Sequence, residues 1–360
     1  MSVVVTGAAG FIGMHVARAL LARGETVVGV DDVNDYYDPS LKEARLAELA
    51  RLGGGAFRFV KLDVAAKGSG AEPGAFAALL AKEVDADRIV HLAAQAGVRY
   101  SLINPAAYVR ANVEGQFAIL DACRLRGGIR HLVYASSSSV YGGNAKLPFA
   151  VEDKIDRPIS LYAATKASAE LMSFCYAHLY GLPQTGLRFF TVYGPWGRPD
   201  MSAFIFTKAI LAGRPIRAFN RGDMRRDFTF IDDIVEGVLA ALDRAPSRQG
   251  ATADKSASTE KSRADLFAEA LSGEGGEGVA HRLYNLGNNR SEELLEFIAT
   301  IEAALGKKAI IEPAPMQPGD VKDTYADIAA SRRDLGFAPK TTIREGIPKF
   351  VAWYRKYYGV

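Results

Sequence analysis

Val3-Val4-Val5-Thr6-Gly7-Ala8-Ala9-Gly10-Phe11-Ile12-Gly13 decides the fold of this chain. Three β-branched residues in a row predict a short buried strand. Three glycines then turn the chain into a helix. They allow a sharp turn, a close approach of backbone to a pyrophosphate, and tight packing of helix on strand. A helix start presents unpaired N–H groups and the positive end of its dipole to an anion. The spacing is Gly-x-x-Gly-x-x-Gly, and a glycine triplet alone also occurs as a plain turn. The flanks give it weight: Thr26 to Val30 is a second apolar strand, and it ends in Asp31. That acid lies 18 positions past Gly13 (31 minus 13), near the roughly 20 expected for the carboxylate that holds the adenosine ribose hydroxyls. A dinucleotide site on Gly7, Gly10, Phe11, Ile12, Gly13 and Asp31 follows. Asp31 and Asp32 would repel a 2′-phosphate, which favours NAD over NADP.

The chain has 360 residues, 49% hydrophobic and 24% charged, an ordinary globular composition. Its net charge is only +3, with acids and bases mixed along the chain, so nucleic acid is not an expected partner. No apolar run reaches membrane-spanning length. The first strand begins at Ser2 or Val3, which leaves no room for a signal peptide or anchor. Cys123 and Cys175 lie in helical patterns and are expected as buried free thiols, suiting a reducing cytoplasm. No metal-ligand spacing occurs.

Strands and helices alternate through the first half. A helix is predicted from Phe11 to Ala22, then a polar aromatic loop from Asn34 to Pro39 and an amphipathic helix from Leu41 to Arg51. Phe57 to Val64 is the third strand, with Asp63 at its carboxyl end, where an adenine could be met or a helix capped. A fourth strand starts at Asp87 and breaks into Leu92-Ala93-Ala94-Gln95-Ala96-Gly97, small residues that suit close passage past a cofactor. His91 is expected to be a packed core histidine. A helix from Ala107 to Arg126 carries Asn112, and Leu132 to Ser137 is a fifth strand. This order implies an α/β fold of Rossmann type, a doubly wound parallel sheet whose ligands sit at the carboxyl ends of its strands.

Ser136-Ser137-Ser138-Ser139 follows the fifth strand, and Leu161-Tyr162-Ala163-Ala164-Thr165-Lys166 opens a helix running to about Tyr180. Tyr162 and Lys166, four apart, share a helix face. A free phenol titrates near pH ~10. A nearby ammonium and a cationic nicotinamide both favour its phenolate. With a strand-end serine to share the proton, this trio can move a proton off an alcohol while hydride leaves its carbon. Tyr-x-x-x-Lys alone is common by chance; the glycine turn, Asp31 and the serines give it meaning here.

At these residues the chain resembles the extended short-chain dehydrogenases/reductases, in the nucleotide-sugar epimerase and dehydratase group. His91-Leu92-Ala93-Ala94-Gln95-Ala96-Gly97-Val98-Arg99-Tyr100-Ser101 and Arg188-Phe189-Phe190-Thr191-Val192-Tyr193-Gly194-Pro195-Trp196-Gly197-Arg198-Pro199-Asp200-Met201 resemble the UDP-glucuronate 4-epimerases. The resemblance covers nearly the whole chain. It implies Tyr162 as base, Lys166 on the nicotinamide ribose, and Ser137 as proton-transfer aid, with Ser136 and Ser138 as fallbacks. It implies NAD that stays bound, oxidation at carbon 4 of the sugar, rotation of the 4-keto intermediate about its diphosphate link, and reduction on the other face. Asn34, Asp63, Val64, Leu92, Ala93, Ala94, Gln95, Asn112 and Phe189 complete the expected cofactor contacts.

A 4-keto uronic acid is a β-keto acid and can lose carbon dioxide, so its carboxylate must be held. Arginine suits this, because its planar fork matches a carboxylate bidentately. Arg198 is the expected clamp, with Thr191, Ser138 and Ser139 as neutral donors. UDP-glucose 4-epimerases usually carry asparagine where Thr191 stands. Arg226 is expected at the diphosphate; Phe219, Arg290, Asp320 and Arg99 are further candidate substrate contacts, and an ion pair is the alternative for each charged one. Asp232 and Asp233 are expected to cap a helix from Ile234 to Leu242. The expected division is an NAD-binding part over 1–187, joined by about 228–243, and a smaller mixed α/β nucleotide-sugar part over 188–360. A flexible insertion is expected over about 245–280, with a short helix near Asp265 to Leu271. A homodimer through the helices after Asn104 and Tyr162 is implied by the resemblance alone. The alternatives are a UDP-glucose 4-epimerase, a UDP-glucuronate decarboxylase, and a non-catalytic nucleotide-sugar binder.

Overall fold

Strand β1 (Ser2–Thr6) is buried along its whole length, as an aliphatic strand inside a parallel sheet must be. The computed structural model describes residues 2–68, 73–247 and 279–360. β1 lies between β2 (Thr26–Asp31) and β4 (Ala86–His91); β3 (Phe57–Lys61) closes one edge. Beyond β4 come β5 (His131–Ser137), β6 (Gln184–Phe189) and the strand His281–Leu286, and all six pairings are parallel. Strand order reverses between β1 and β4, which opens a crevice outside their carboxyl ends.

Both faces of the sheet are covered, and the period-2 alternation of a strand divides β1 between them. Val3 and Val5 join a core with helix α1 (Phe11–Ala22), Leu41 and Leu49 of α2 (Pro39–Gly53), and the C-terminal helix Ile343–Tyr358. Val4 joins a second core with Leu80 of α3 (Ala75–Lys82) and with Ile119 and Cys123. Three small pairings stand beside the main sheet: Thr191–Tyr193 with Phe228–Phe230, Ile216–Ala218 with Ile311–Pro313, and Arg225–Arg226 with Glu292–Glu293.

Several sequence expectations need correction. β3 stops at Lys61, so Asp63 lies in a turn, where its Oδ1 accepts the Ala65 N–H at 2.8 Å. The single helix expected from Ala107 to Arg126 is α4 (Pro105–Tyr108), a π turn Val109–Glu114 and α5 (Gly115–Arg126). The helix expected at Ile234 begins at Ile231, which puts Asp232 and Asp233 in its first turn and not at its cap. Their charges favour the dipole there, and Asp233 Oδ2 accepts the Thr341 N–H at 3.0 Å. Cys123 is buried, but Cys175 is exposed, because it falls on the outer side of its helix. Most of the expected insertion, with its short helix, lies outside the described residues. Among those residues no helix is long and apolar enough to cross a membrane, and no cluster of metal-ligating side chains occurs.

Candidate active site

A cavity of about 950 Å³ occupies the crevice, running from Asp31 and Asp63, past the glycine turn, to Ser137, Tyr162 and Lys166, and on to Arg198, Phe219 and Arg226. The glycine turn is sterically exacting. Gly7 has φ +72°, and a Cβ there would lie 2.7 Å from the Ala93 nitrogen; a Cβ at Gly13 would fall 2.0 Å from the Gly7 oxygen. Gly10 precedes α1 with no side chain capping the helix, and Gly10, Phe11, Ile12 and Gly13 all line the cavity. An uncapped helix start facing a cavity, at a turn no larger residue could make, fits the pyrophosphate of a dinucleotide.

Asp31 is buried at the end of β2, with Oδ2 accepting the Ala9 N–H at 3.1 Å and Oδ1 the Val33 N–H at 2.9 Å. Burial raises its carboxyl above the ordinary value, while these two N–H groups and Lys42 pull the other way. Lys42 Nζ donates to the Asn34 carbonyl and side-chain oxygens, both at 2.8 Å, and so shapes the loop beside Asp31. Arg45 is wholly buried: Nη1 donates to the Ala9 oxygen at 2.9 Å, and Nη2 to the Trp196 oxygen at 2.6 Å. It ties the glycine turn to the segment that carries Arg198.

Asp63, Val64, Leu92, Ala93, Ala94, Gln95 and Phe189, expected as cofactor contacts, line the cavity, and so does Leu62. Asn112 does not; the π turn aims it at the loop behind the wall. Its Oδ1 accepts the Gln95 N–H at 2.8 Å, and its Nδ2 donates to the Gln95 oxygen at 3.0 Å and to Thr165 Oγ1 at 3.1 Å. Thr165 Oγ1 in turn donates to the Tyr162 oxygen at 2.9 Å, so Asn112 joins the cofactor loop to helix α6 (Leu161–Tyr180). His91 is a core residue, with Nδ1 2.7 Å from Thr6 Oγ1, and burial pushes it down to about 3.

Ser160 caps α6 by accepting the Ala163 N–H, which sets Tyr162 and Lys166 in the first turns, facing the cavity. Of the candidate serines, Ser136 donates to Glu170 Oε1, which Arg188 also grips with Nε at 2.9 Å in a buried ion pair. Ser137 lines the cavity with Tyr162; its Oγ donates to Ser139 Oγ and accepts the Ser139 N–H, both at 3.2 Å, and it pulls the Tyr162 phenol pKa down. Burial outweighs it: the phenol is raised above its ordinary value, with Arg198 also pulling it down. Burial lowers the Lys166 amine to about 8, and its Nζ donates to the Ala135 oxygen at 2.9 Å.

Past Tyr162, the wall carries Ser138, Ser139, Thr191 and Arg198. Arg198 makes a bidentate pair with Asp200, and Tyr36 donates to Asp200 Oδ2 at 3.1 Å. At the far end, Asp320 lies between Arg99 at 3.5 Å and Arg226 at 3.4 Å, and the guanidinium groups of Arg99 and Arg217 cover the Phe219 ring. Arg290 does not line the cavity: it is exposed, and its Nε is held by Glu292 at 2.8 Å. Sequence reasoning missed Asp200, Tyr36, Arg217 and Arg45 as parts of this site. An acid two residues after Arg198 was the visible signal for the first; the others meet the site only through the fold.

A profile of the NAD dependent epimerase/dehydratase family matches residues 3–252. UDP-glucuronate 4-epimerase 4 of Arabidopsis thaliana is 46% identical over 362 residues, covering 99% of this chain and 76% of that protein. A probable UDP-glucuronate 4-epimerase of Rhizobium meliloti is 45% identical over 361 residues, covering 99% and 98%. Among solved structures, UDP-glucuronic acid 4-epimerase from Bacillus cereus, in complex with UDP-glucuronic acid and NAD, superposes with a TM-score of 0.82 at 30% identity, covering 99% of this chain and all of that one.

Proposed function

The chain belongs to the NAD-dependent epimerase/dehydratase family, and we propose that within it the protein is an NAD-dependent UDP-glucuronate 4-epimerase, forming UDP-galacturonate. The observation that carries this reading is that Tyr162, Lys166 and Ser137 open onto the same cavity as Thr191 and Arg198. One group handles an alcohol proton beside another suited to a carboxylate. Gly7, Gly10, Gly13 and Asp31 hold the dinucleotide, which when bound takes hydride from carbon 4 of the sugar and gives it back.

In this reading Tyr162 takes the proton of the 4-hydroxyl, with Ser137 as its hydrogen-bonding partner, and returns it when the ketone is reduced. Lys166 lies one turn along α6 to orient the cofactor ribose. Ser138, Ser139, Thr191 and Arg198 hold the sugar carboxylate, which keeps the β-keto acid from losing carbon dioxide. Arg226 meets the diphosphate; Phe219, Arg99 and Asp320 lie toward the nucleoside. Residues 1–187 with about 228–243 form the NAD-binding part. The packing of helix Ile231–Leu242 on α1 supports this, and the strand His281–Leu286 extends the same part. Exposed Phe117 on α5, with Leu171 and Phe174 on α6, supports a homodimer through these helices; light scattering giving the mass of one chain counts against it. The free thiols of Cys123 and Cys175 accord with a cytoplasmic location.

Incubation with UDP-glucuronate, followed by separation of UDP-galacturonate from a UDP-pentose, tests the function. UDP-galacturonate is the expected product; a pentose indicates a decarboxylase, and an unchanged substrate indicates another sugar. Tyr162→Phe is expected to lower turnover by about 10²- to 10⁴-fold while the protein still retains NAD. Normal turnover in that variant removes Tyr162 as the base.

A further inference from the structure

Arg198 does not offer its whole fork to the cavity. Its Nε lies 3.0 Å from Asp200 Oδ1 and its Nη2 2.8 Å from Asp200 Oδ2, so a carboxylate two residues along closes one complete edge of the guanidinium. Nη1 makes no hydrogen bond among the described residues. Asp200 is itself held from a distant part of the chain, by the Tyr36 hydroxyl at 3.1 Å. Tyr36 belongs to the loop after β2, and its ring packs on Tyr100 with centroids 4.8 Å apart. The pair lies close over Gly97, where φ is +99°: a Cβ there would lie 3.0 Å from the Tyr36 hydroxyl and 3.3 Å from Asp200 Oδ2. Arg198, Asp200 and Tyr36 all line the cavity with Tyr162 and Thr191.

We propose that Asp200 is a positioning residue that sets how Arg198 grips an anionic sugar: it holds the Nε–Nη2 edge, leaves the Nη1–Nη2 end of the guanidinium for the sugar carboxylate, and offsets the arginine charge. An arginine free of Asp200 would bring its full charge to the sugar carboxylate and bind it more tightly through the same two parallel bonds. Such a hold would tighten substrate binding without helping the chemical step, because it is equally strong before and during reaction. It would also oppose the turning of the sugar that inversion at carbon 4 requires, since the carboxylate moves with the ring. Asp200 tempers the hold so that Arg198 keeps the carboxylate engaged while the sugar turns, without fixing it in one pose. This rests on the uronate reading given above.

The test is a double-mutant cycle on the NAD-loaded enzyme, with Asp200→Asn, Arg198→Ala and the pair. Binding of UDP-glucuronate and UDP-glucose is followed by calorimetry, and turnover is measured separately. Asp200→Asn is expected to bind UDP-glucuronate about tenfold more tightly and to turn it over more slowly, with UDP-glucose affinity unchanged within about twofold. In the Arg198→Ala background, Asp200→Asn should leave uronate binding unmoved. Equal shifts for both sugars, or a shift that survives without Arg198, overturn the proposal and leave Asp200 as a purely structural ion-pair partner. If Asp200→Asn does not fold, Tyr36→Phe keeps both charges and loosens only the carboxylate; it should tighten uronate binding by about two- to threefold, and no change or a weakening refutes the role. Failure of the wild-type enzyme to prefer UDP-glucuronate over UDP-glucose would count against the substrate reading alone, since the Asp200 result is the relative shift between variants.

Discussion

Asn112→Ala should destabilise the protein by several kcal/mol, although the side chain touches no part of the cavity surface. Its three hydrogen bonds, at 2.8, 3.0 and 3.1 Å, are all buried. Each contributes about 1 kcal/mol net, and stranding a buried backbone group costs about 1–3 kcal/mol. Truncation strands both the N–H and the carbonyl oxygen of Gln95, so the expected loss is about 3–5 kcal/mol. The assay is urea unfolding of wild type and variant with NAD at equal excess, because a ligand that binds only the folded state raises apparent stability. Cofactor affinity should fall as well, since the loop Ala93–Gly97 loses its anchor to α6. Asn112→Asp should be worse than Ala, since it sets a carboxylate against the Gln95 oxygen. A loss below about 1 kcal/mol for Asn112→Ala would refute the account, because one surviving hydrogen bond is worth that much.

Ser137→Ala should lower turnover with little change in unfolding midpoint, whereas Ser136→Ala should do the reverse, because Ser136 serves the buried Glu170–Arg188 pair; equal kinetic losses would undo that distinction. Gly13→Ala should abolish NAD retention, since its methyl would meet the Gly7 oxygen at 2.0 Å; a variant that purifies with cofactor bound would contradict the geometry. Acid should destabilise the fold. Burial lowers His15 and His91 to about 3, and His131 and His281 to about 4. The folded protein therefore binds fewer protons than the unfolded chain from about pH 6.5 down to these values, and stability falls with pH across that window by up to ~1.4 kcal/mol per unit for each group. Urea midpoints at pH 7.5 and 5.5 check this, and equal midpoints would contradict it.

Local signals made the first half of the fold legible. The helix Phe11–Ala22 and the helix Leu161–Tyr180 have the bounds the sequence predicts. Glycine punctuation and apolar runs act over a few residues, so they are readable without a fold. The π turn at Val109–Glu114 left no such mark, because its residues are ordinary helix formers and tertiary contacts of Asn112 select it. Leu283 to Gly287 reads as a strand in the sequence, and the strand His281–Leu286 agrees, but its place at the edge of the main sheet comes only from pairing with β6. In the site, the type and place of Tyr162, Lys166 and Arg198 were readable, but their electrostatics were not. Burial decides the direction of the first two, and burial belongs to the assembled cavity. Arg290 was misjudged for the converse reason: its charge was visible, but its outward orientation was not.

Arg45 has no carboxylate partner among the described residues; its donors go to carbonyl oxygens and a tyrosine hydroxyl. A lone guanidinium sealed beneath the glycine turn is a fixed positive monopole that bulk ions scarcely screen. The hold on an anion at that turn should therefore change little between dilute buffer and high salt, in contrast to sites that rely on exposed lysines.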